Sequence, residues 1–228
     1  IAAKVQSDLR EVLIEKFGAA SANFGDEGGF VPDIVSVQKP LEILFEILEK
    51  NKLTDKVKLS MDIAASSFYK NNEYIIGEER YQTDDLINMY KEMIGRLPIF
   101  SIEDPLEEED FQGFKQLRKS TSIYVVGDDL TVTNKKRLET AIQTKSINSI
   151  IIKPNQIGTL SETLKTMNMA RENDIECIVS NRSGETNDDF IADLAWAFGC
   201  FGLKAGAPQR GERVAKYNRL WNIQERKS

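Results

Sequence analysis

Residues 99–153, IFSIEDPLEEEDFQGFKQLRKSTSIYVVGDDLTVTNKKRLETAIQTKSINSIIIK, hold three short apolar runs separated by two stretches with helical spacing. IFSIE (99–103), IYVVGD (123–128) and SIIIK (149–153) read as buried strands, because continuous β-branched runs of this length suit a parallel sheet covered on both faces. Each ends on an ionisable residue, and Glu103, Asp128 and Lys153 follow one another every 25 residues. The pattern extends outward on both sides. VKLSMD (57–62) is a strand ending at Asp62, ECIVS (176–180) is another, and FGLK is a weaker one ending at Lys204. Helices are expected between them. Thr83 precedes DDLINMYKEMIGRL, Asn134 precedes KKRLETAIQTK, and the Ser161–Glu162 region opens ETLKTMNMAREN, each with an oxygen that can cap a helix start. DFIADLAWAFG ends at Gly199, a natural left-handed stop, and ERVAKYNRLWNIQER forms the final helix.

Strand–helix alternation of this kind means an α/β fold with parallel strands and crossover helices, either a barrel or an open doubly wound sheet. Asp62, Glu103, Asp128, Lys153 and Lys204 each end a different strand. In a (β/α)8 barrel those strand ends converge on one mouth, where such folds place their chemistry. No glycine-rich dinucleotide fingerprint follows the first strand, so the barrel is preferred. About six strand–helix units can be counted where eight close a barrel, and the chain opens at Ile1 within a helical pattern. An incomplete barrel is therefore expected, with two strands upstream. No Pro/Gly-rich linker interrupts residues 1–228, which are read as one partial barrel domain.

With 41% hydrophobic and 29% charged residues, the 228-residue chain can bury a sizeable core in water. A net charge of −6 argues against nucleic-acid or anionic-membrane partners. No apolar run approaches the ~20 residues of a spanning helix. The mixed charges of IAAKVQSDLREVLIEKFG are unlike a signal peptide. Cys177 and Cys200 lack metal-type spacing and fit reduced thiols in a cytoplasmic protein. Histidine is absent altogether, which excludes imidazole bases, zinc–histidine sites and Ser-His-Asp hydrolysis. Acid–base work falls to carboxylates, lysines and tyrosines.

Three carboxylates at strand ends make a hard, oxygen-rich, multiply negative site suited to Mg²⁺. Helix caps or ion pairs are the competing explanation. Lysines beside the acids sharpen the chemistry, since a metal flanked by amines can bind a carboxylate and remove the proton α to it. An unpaired amine on the apolar run before Lys153 would cost several kcal/mol, so it needs a partner or a task. The acidic run LEEEDF (106–111) is read as a solvated helix start, where carboxylates complement the dipole.

NFGDEGGFVPDI (23–34), MDIAASSFY, SIEDPLEEEDF, VVGDDLTVTN, IIKPNQIGTLSET, SNRSGETNDDFIADL and LKAGAPQRGERVAKYNRL resemble enolase motifs, in enolase order. The resemblance runs along essentially the whole chain and implies the reversible Mg²⁺-dependent dehydration of 2-phosphoglycerate to phosphoenolpyruvate. It implies that Asp62, Glu103 and Asp128 bind Mg²⁺, and that Lys153 is the base that takes the C2 proton. Lys204 would help hold the substrate carboxylate, and Glu27 would assist departure of the C3 hydroxide. Its neighbouring glycines would let backbone approach the substrate. Arg182 and Ser183 would contact the phosphate, a use that suits the guanidinium fork. A cytoplasmic enzyme that is a homo-oligomer in its full-length form is also implied.

The chain departs from the family at Asn181, where enolases carry His; an amide donates a hydrogen bond but carries no imidazole charge. The family's N-terminal α+β domain, with its mobile loops, second carboxylate and serine contact to a second Mg²⁺, has no counterpart in these residues. The isolated chain is accordingly expected to be inactive. Two alternatives stand beside the enolase reading: a noncatalytic enolase-like binding or scaffold protein, and an acid-sugar dehydratase of the same superfamily.

Overall fold

The computed structural model describes residues 1–226. In chain order the elements are α1 (Ala2–Phe17), α2 (Lys39–Lys50), β1 (Leu59–Asp62), β2 (Tyr69–Lys70), β3 (Glu73–Ile76), β4 (Glu79–Tyr81) and α3 (Thr83–Arg96). There follow β5 (Ile99–Glu103), α4 (Phe111–Ser120), β6 (Tyr124–Gly127), α5 (Lys135–Thr144), β7 (Ser149–Ile152), the single turn α6 (Pro154–Ile157) and α7 (Leu160–Glu172). The chain ends with β8 (Glu176–Ser180), α8 (Phe190–Phe198), β9 (Gly202–Lys204) and α9 (Gly211–Glu225). These elements group into two compact units, residues 54–177 and residues 1–53 with 178 onward.

In the unit 54–177, β1, β5, β6 and β7 form a parallel ladder in that order. All four residues of β7 are buried, as a parallel strand covered on both faces requires. Cover comes from α3, α4, α5 and α7, whose Leu86, Tyr90, Met93, Phe114, Leu117, Leu138 and Met167 are each at most 2% exposed. Each such side chain stabilises the fold by ~1.5–3 kcal/mol relative to exposure. Asn134 caps α5 as the sequence suggests, its side chain accepting from the Lys136 and Arg137 amides. Two expected caps are displaced. Gln82, already extended at φ −91°, ψ 170°, caps α3 in a reciprocal box with Asp85, while Thr83 sits in the first turn and donates to Asp110 at 3.0 Å. Thr159, rather than the Ser161 region, caps α7 by accepting from the Glu162 amide at 3.2 Å.

The antiparallel β2–β3–β4 hairpin, residues 69–81, is an element the sequence reading did not foresee. Asn71 and Asn72 join β2 to β3 with both φ angles positive, at 54° and 63°, the geometry a two-residue hairpin loop demands.

In the other unit, α1 packs on α2 through Leu13, Ile43 and Ile47, with Val5, Leu9, Phe30 and Ile34 against them. β8 and β9 pair in parallel, with Ser180 opposite Lys204. α8 stops at Gly199 in the left-handed region, as its sequence indicates. α9 packs on α8, where Arg219 grips Asp193 with two hydrogen bonds of 2.9 and 2.6 Å. The six strands in parallel pairs are those read from the sequence. Among the described residues neither cysteine is in a disulfide, and no helix is long and apolar enough to cross a membrane.

Candidate active site

Ladder register decides which strand-end side chains share a face. Asp62 lies opposite Glu103, Glu103 opposite Val126, and Val126 opposite Ser149. Side chains alternate with a period of two, so Asp62 and Glu103 share a side of their ladder, while Asp128 and Lys153 each stand one residue beyond a strand and meet through their own ion pair. Asp62 is exposed, whereas Glu103 and Asp128 are each only 6% exposed. Lys153 forms an ion pair with Oδ2 of Asp128, which answers the need for a partner on that apolar strand. The other oxygen, Oδ1 of Asp128, is buried with no hydrogen-bond partner. A buried anionic oxygen lacking a donor is costly, and a hard cation is the species that would satisfy it. Of the three predicted ligands, Asp128 is the one whose unsatisfied oxygen calls for a cation.

Both members of that pair are held by the backbone behind them. Val132 donates to the Asp128 carbonyl at 2.7 Å, closing a tight turn. The Lys153 amide donates to Oγ1 of Thr133 at 2.9 Å, and that hydroxyl donates to Gln156 at 2.7 Å. Thr133 is fully buried, and the Thr166 hydroxyl donates to its carbonyl at 3.0 Å. Val132 and Thr133 have φ of 43° and 56°, a conformation disfavoured for β-branched residues and kept only because these contacts impose it.

Asp104 is a residue the sequence reading missed. Carboxylate oxygens of Asp104, Asp128 and Asp129 come within 4.8 Å of one another, a grouping that could itself hold a metal. Both Asp104 oxygens, however, accept backbone hydrogen bonds, from the Asp128 amide at 2.9 Å and the Asp129 amide at 2.7 Å. Burial pushes its carboxyl up to about 7 against the opposing effect of those amides. With both oxygens engaged, Asp104 braces the turn that presents Asp128. Its only signal in the sequence is its place beside Glu103. The acidic run behaves as a helix start: Asp110 caps α4 through the Gly113 amide at 2.8 Å, and Arg137 reaches Glu109 at 2.7 Å.

The remaining site residues of the sequence reading lie in the other unit. Glu27 stands in a turn closed by the Gly28 amide on the Gly25 carbonyl at 3.1 Å. Gly28 has φ 76°, and a Cβ there would fall 3.1 Å from the Gln209 carbonyl, so its freedom serves close approach to that segment. The Ser183 hydroxyl is 3.4 Å from Oε1 of Glu27. The Asn181 amide donates to the Lys204 carbonyl at 2.9 Å, joining the ends of β8 and β9. Asn181 is 2% exposed; its side chain donates to the Arg182 carbonyl at 3.0 Å, and its Oδ1 is buried without a partner. Arg182 donates its own amide to Glu185 at 3.2 Å. This unit also holds an open apolar cavity of about 800 Å³ lined by Trp196, Cys200, Leu203, Tyr217 and Trp221, and none of the predicted site residues lines it.

The model of the enolase C-terminal TIM barrel domain matches residues 1–228. The chain is 49% identical over 220 residues to an enolase of Methanococcus maripaludis, covering 95% of this chain and 52% of that protein. It is 44% identical over 217 residues to an enolase of Methanocaldococcus jannaschii (95% of this chain, 51% of that protein) and 43% identical over 226 residues to one of Methanococcus vannielii (98% and 53%). The chain thus spans about half the length of the curated relatives it matches. A set of strand-end acids with a lysine paired to one of them, on parallel strands joined by helices, accords with that match, and the chain belongs to the enolase family, within its C-terminal TIM barrel domain.

Proposed function

We propose that the protein carrying this chain is an enolase that reversibly dehydrates 2-phosphoglycerate to phosphoenolpyruvate. The observation that carries the proposal is the Lys153–Asp128 pair, in which one carboxylate oxygen holds the lysine while the other is buried without a donor. Asp62, Glu103 and Asp128 are the residues that would hold Mg²⁺, which when bound neutralises the charge that builds on the substrate carboxylate. Lys153, in its neutral amine form, takes the C2 proton at its Nζ and becomes the ammonium. The carboxylate of Asp128 keeps that amine at the strand end, and the Thr133 hydroxyl fixes its backbone. Lys204 supplies a positive charge for the substrate carboxylate. Arg182 and Ser183 bind the phosphate, with the guanidinium fork matched to its oxygens. Glu27 assists the C3 hydroxide as it leaves, and its 3.4 Å contact with Ser183 links leaving-group and phosphate positions within one unit.

The same reading takes residues 1–228 as one partial barrel domain of a cytoplasmic protein that is a homo-oligomer in full-length form. Intact protein should form phosphoenolpyruvate from 2-phosphoglycerate, followed by ultraviolet absorbance, and lose the activity reversibly to a chelator. Failure of the intact protein to do so with Mg²⁺ present would remove the proposal. Asn181 favours one second reading, a noncatalytic enolase-like binding or scaffold protein, because its buried amide replaces the family imidazole.

A further inference from the structure

Arg213 and Lys216, in the first turns of α9, are both fully buried. Lys216 donates to the Thr186 carbonyl at 2.6 Å and the Glu212 carbonyl at 2.8 Å, and lies 3.6 Å from Glu185. Arg213 does something different. Its Nη1 donates to the Arg182 carbonyl at 2.7 Å, and its Nη2 donates to the carbonyls of Asp26 at 2.9 Å and Ser183 at 2.7 Å. One rigid planar group thereby ties the 24–29 turn to the 181–187 loop, segments more than 150 residues apart in sequence. A third segment closes over the same side chain. A Cβ on Gly206, which has φ 81°, would fall 2.9 Å from Cδ of Arg213 and 2.7 Å from the Glu27 carbonyl. Beside it the Ala207 amide donates to that carbonyl at 2.9 Å. The three segments carry Glu27, Arg182 with Ser183, and Lys204.

A guanidinium withdrawn from water is costly, and here three carbonyl dipoles offset its charge at Nη1 and Nη2 while Nε stays buried without a partner. We infer that Arg213 is a positioning residue, setting Glu27 against Arg182 and Ser183 before substrate arrives. The roles of those residues rest on the enolase reading; the clamp itself rests on the hydrogen bonds alone.

Hydrogen exchange in the intact protein tests it, comparing Arg213→Met, Arg213→Lys and the control Arg219→Met, which removes a half-buried pair between α9 and α8. Arg213→Met should raise amide exchange in peptides covering 24–29 and 181–187 by roughly tenfold or more, the worth of one charge-assisted hydrogen bond, with the other unit unchanged. Arg213→Lys should restore part of that protection, and Arg219→Met should leave both loops as they were. Should Arg213→Met fail to fold, Arg213→Lys decides by loosening these two loops alone. Unchanged exchange in both loops, or an equal rise along the whole chain, overturns the inference. With 2-phosphoglycerate, Arg213→Lys should lower kcat/KM by roughly tenfold while Mg²⁺ binding holds. If the unsubstituted protein does not dehydrate 2-phosphoglycerate, the enolase reading falls while the exchange result still judges the clamp.

Discussion

Replacing Thr133 by Val keeps shape and β-branching but removes the hydroxyl that accepts from the Lys153 amide at 2.9 Å and donates to Gln156 at 2.7 Å. A buried N–H left without an acceptor costs ~1–3 kcal/mol, and the bond to half-buried Gln156 adds ~0.5–1.5 kcal/mol. The sum is ~2–3 kcal/mol once the saving from no longer burying a hydroxyl is allowed for. At ~2–4 °C per kcal/mol for a chain of this size, Tm should fall by ~5–10 °C. Thr133→Ser retains the hydroxyl and gives up one methyl, so it should cost only ~1 kcal/mol. Urea denaturation of both variants, read as a change in midpoint at constant slope, separates the two effects. In intact protein Thr133→Val should also slow turnover more than it weakens Mg²⁺ binding, because the slackened group is the lysine and no metal ligand is touched. If Thr133→Val proves no more destabilising than Thr133→Ser, the hydroxyl does not hold the Lys153 backbone and the reasoning fails.

Gly206→Ala should cost at least ~2 kcal/mol by denaturation, because its Cβ would meet the Glu27 carbonyl at 2.7 Å and φ 81° strains any side chain. Asn181→His in intact protein should change KM more than kcat in steady-state kinetics; a large rise in kcat from near zero would instead favour the noncatalytic reading. Asp193 is held below the usual carboxylate range chiefly by its hydrogen bonds from Arg219. A depressed carboxyl stabilises the fold above its ordinary value and loses that contribution as pH falls through the lowered one. Arg219→Met should therefore lower Tm slightly near neutral pH, and the difference should shrink as pH falls, as thermal melts would register.

Much of the fold was legible because buried parallel strands write themselves as uninterrupted β-branched runs. IFSIE and ECIVS match β5 and β8 residue for residue, and SIIIK overshoots β7 only by Lys153, which has left the ladder. The hairpin was less visible since Tyr69–Lys70 is two residues long and its alternation too brief to register, yet the Asn71–Asn72 pair announces the turn. Caps at Gln82 and Thr159 were hidden by better capping residues standing one or two positions on. Among the chemistry, the places of Asp62, Glu103, Asp128 and Lys153 at or just past strand ends could be read from where the apolar runs stop. Asp104, Thr133 and Arg213 could not. Each acts through bonds to backbone groups distant in sequence, and composition at one position carries no mark of them.

Exchange of the C2 proton of 2-phosphoglycerate with solvent, compared between intact unsubstituted protein and its Lys153→Ala and Asp128→Asn variants, tests the central claim most directly. Asp128→Asn should weaken Mg²⁺ binding in a metal titration, since it removes one anionic ligand from a hard dication. Lys153→Ala should bind Mg²⁺ nearly as before, because an amine is no magnesium ligand, and should abolish the exchange, because no other group at that strand end can take the proton. Exchange persisting in Lys153→Ala at close to the unsubstituted rate would contradict the assignment of the base, and with it the mechanism proposed for this chain.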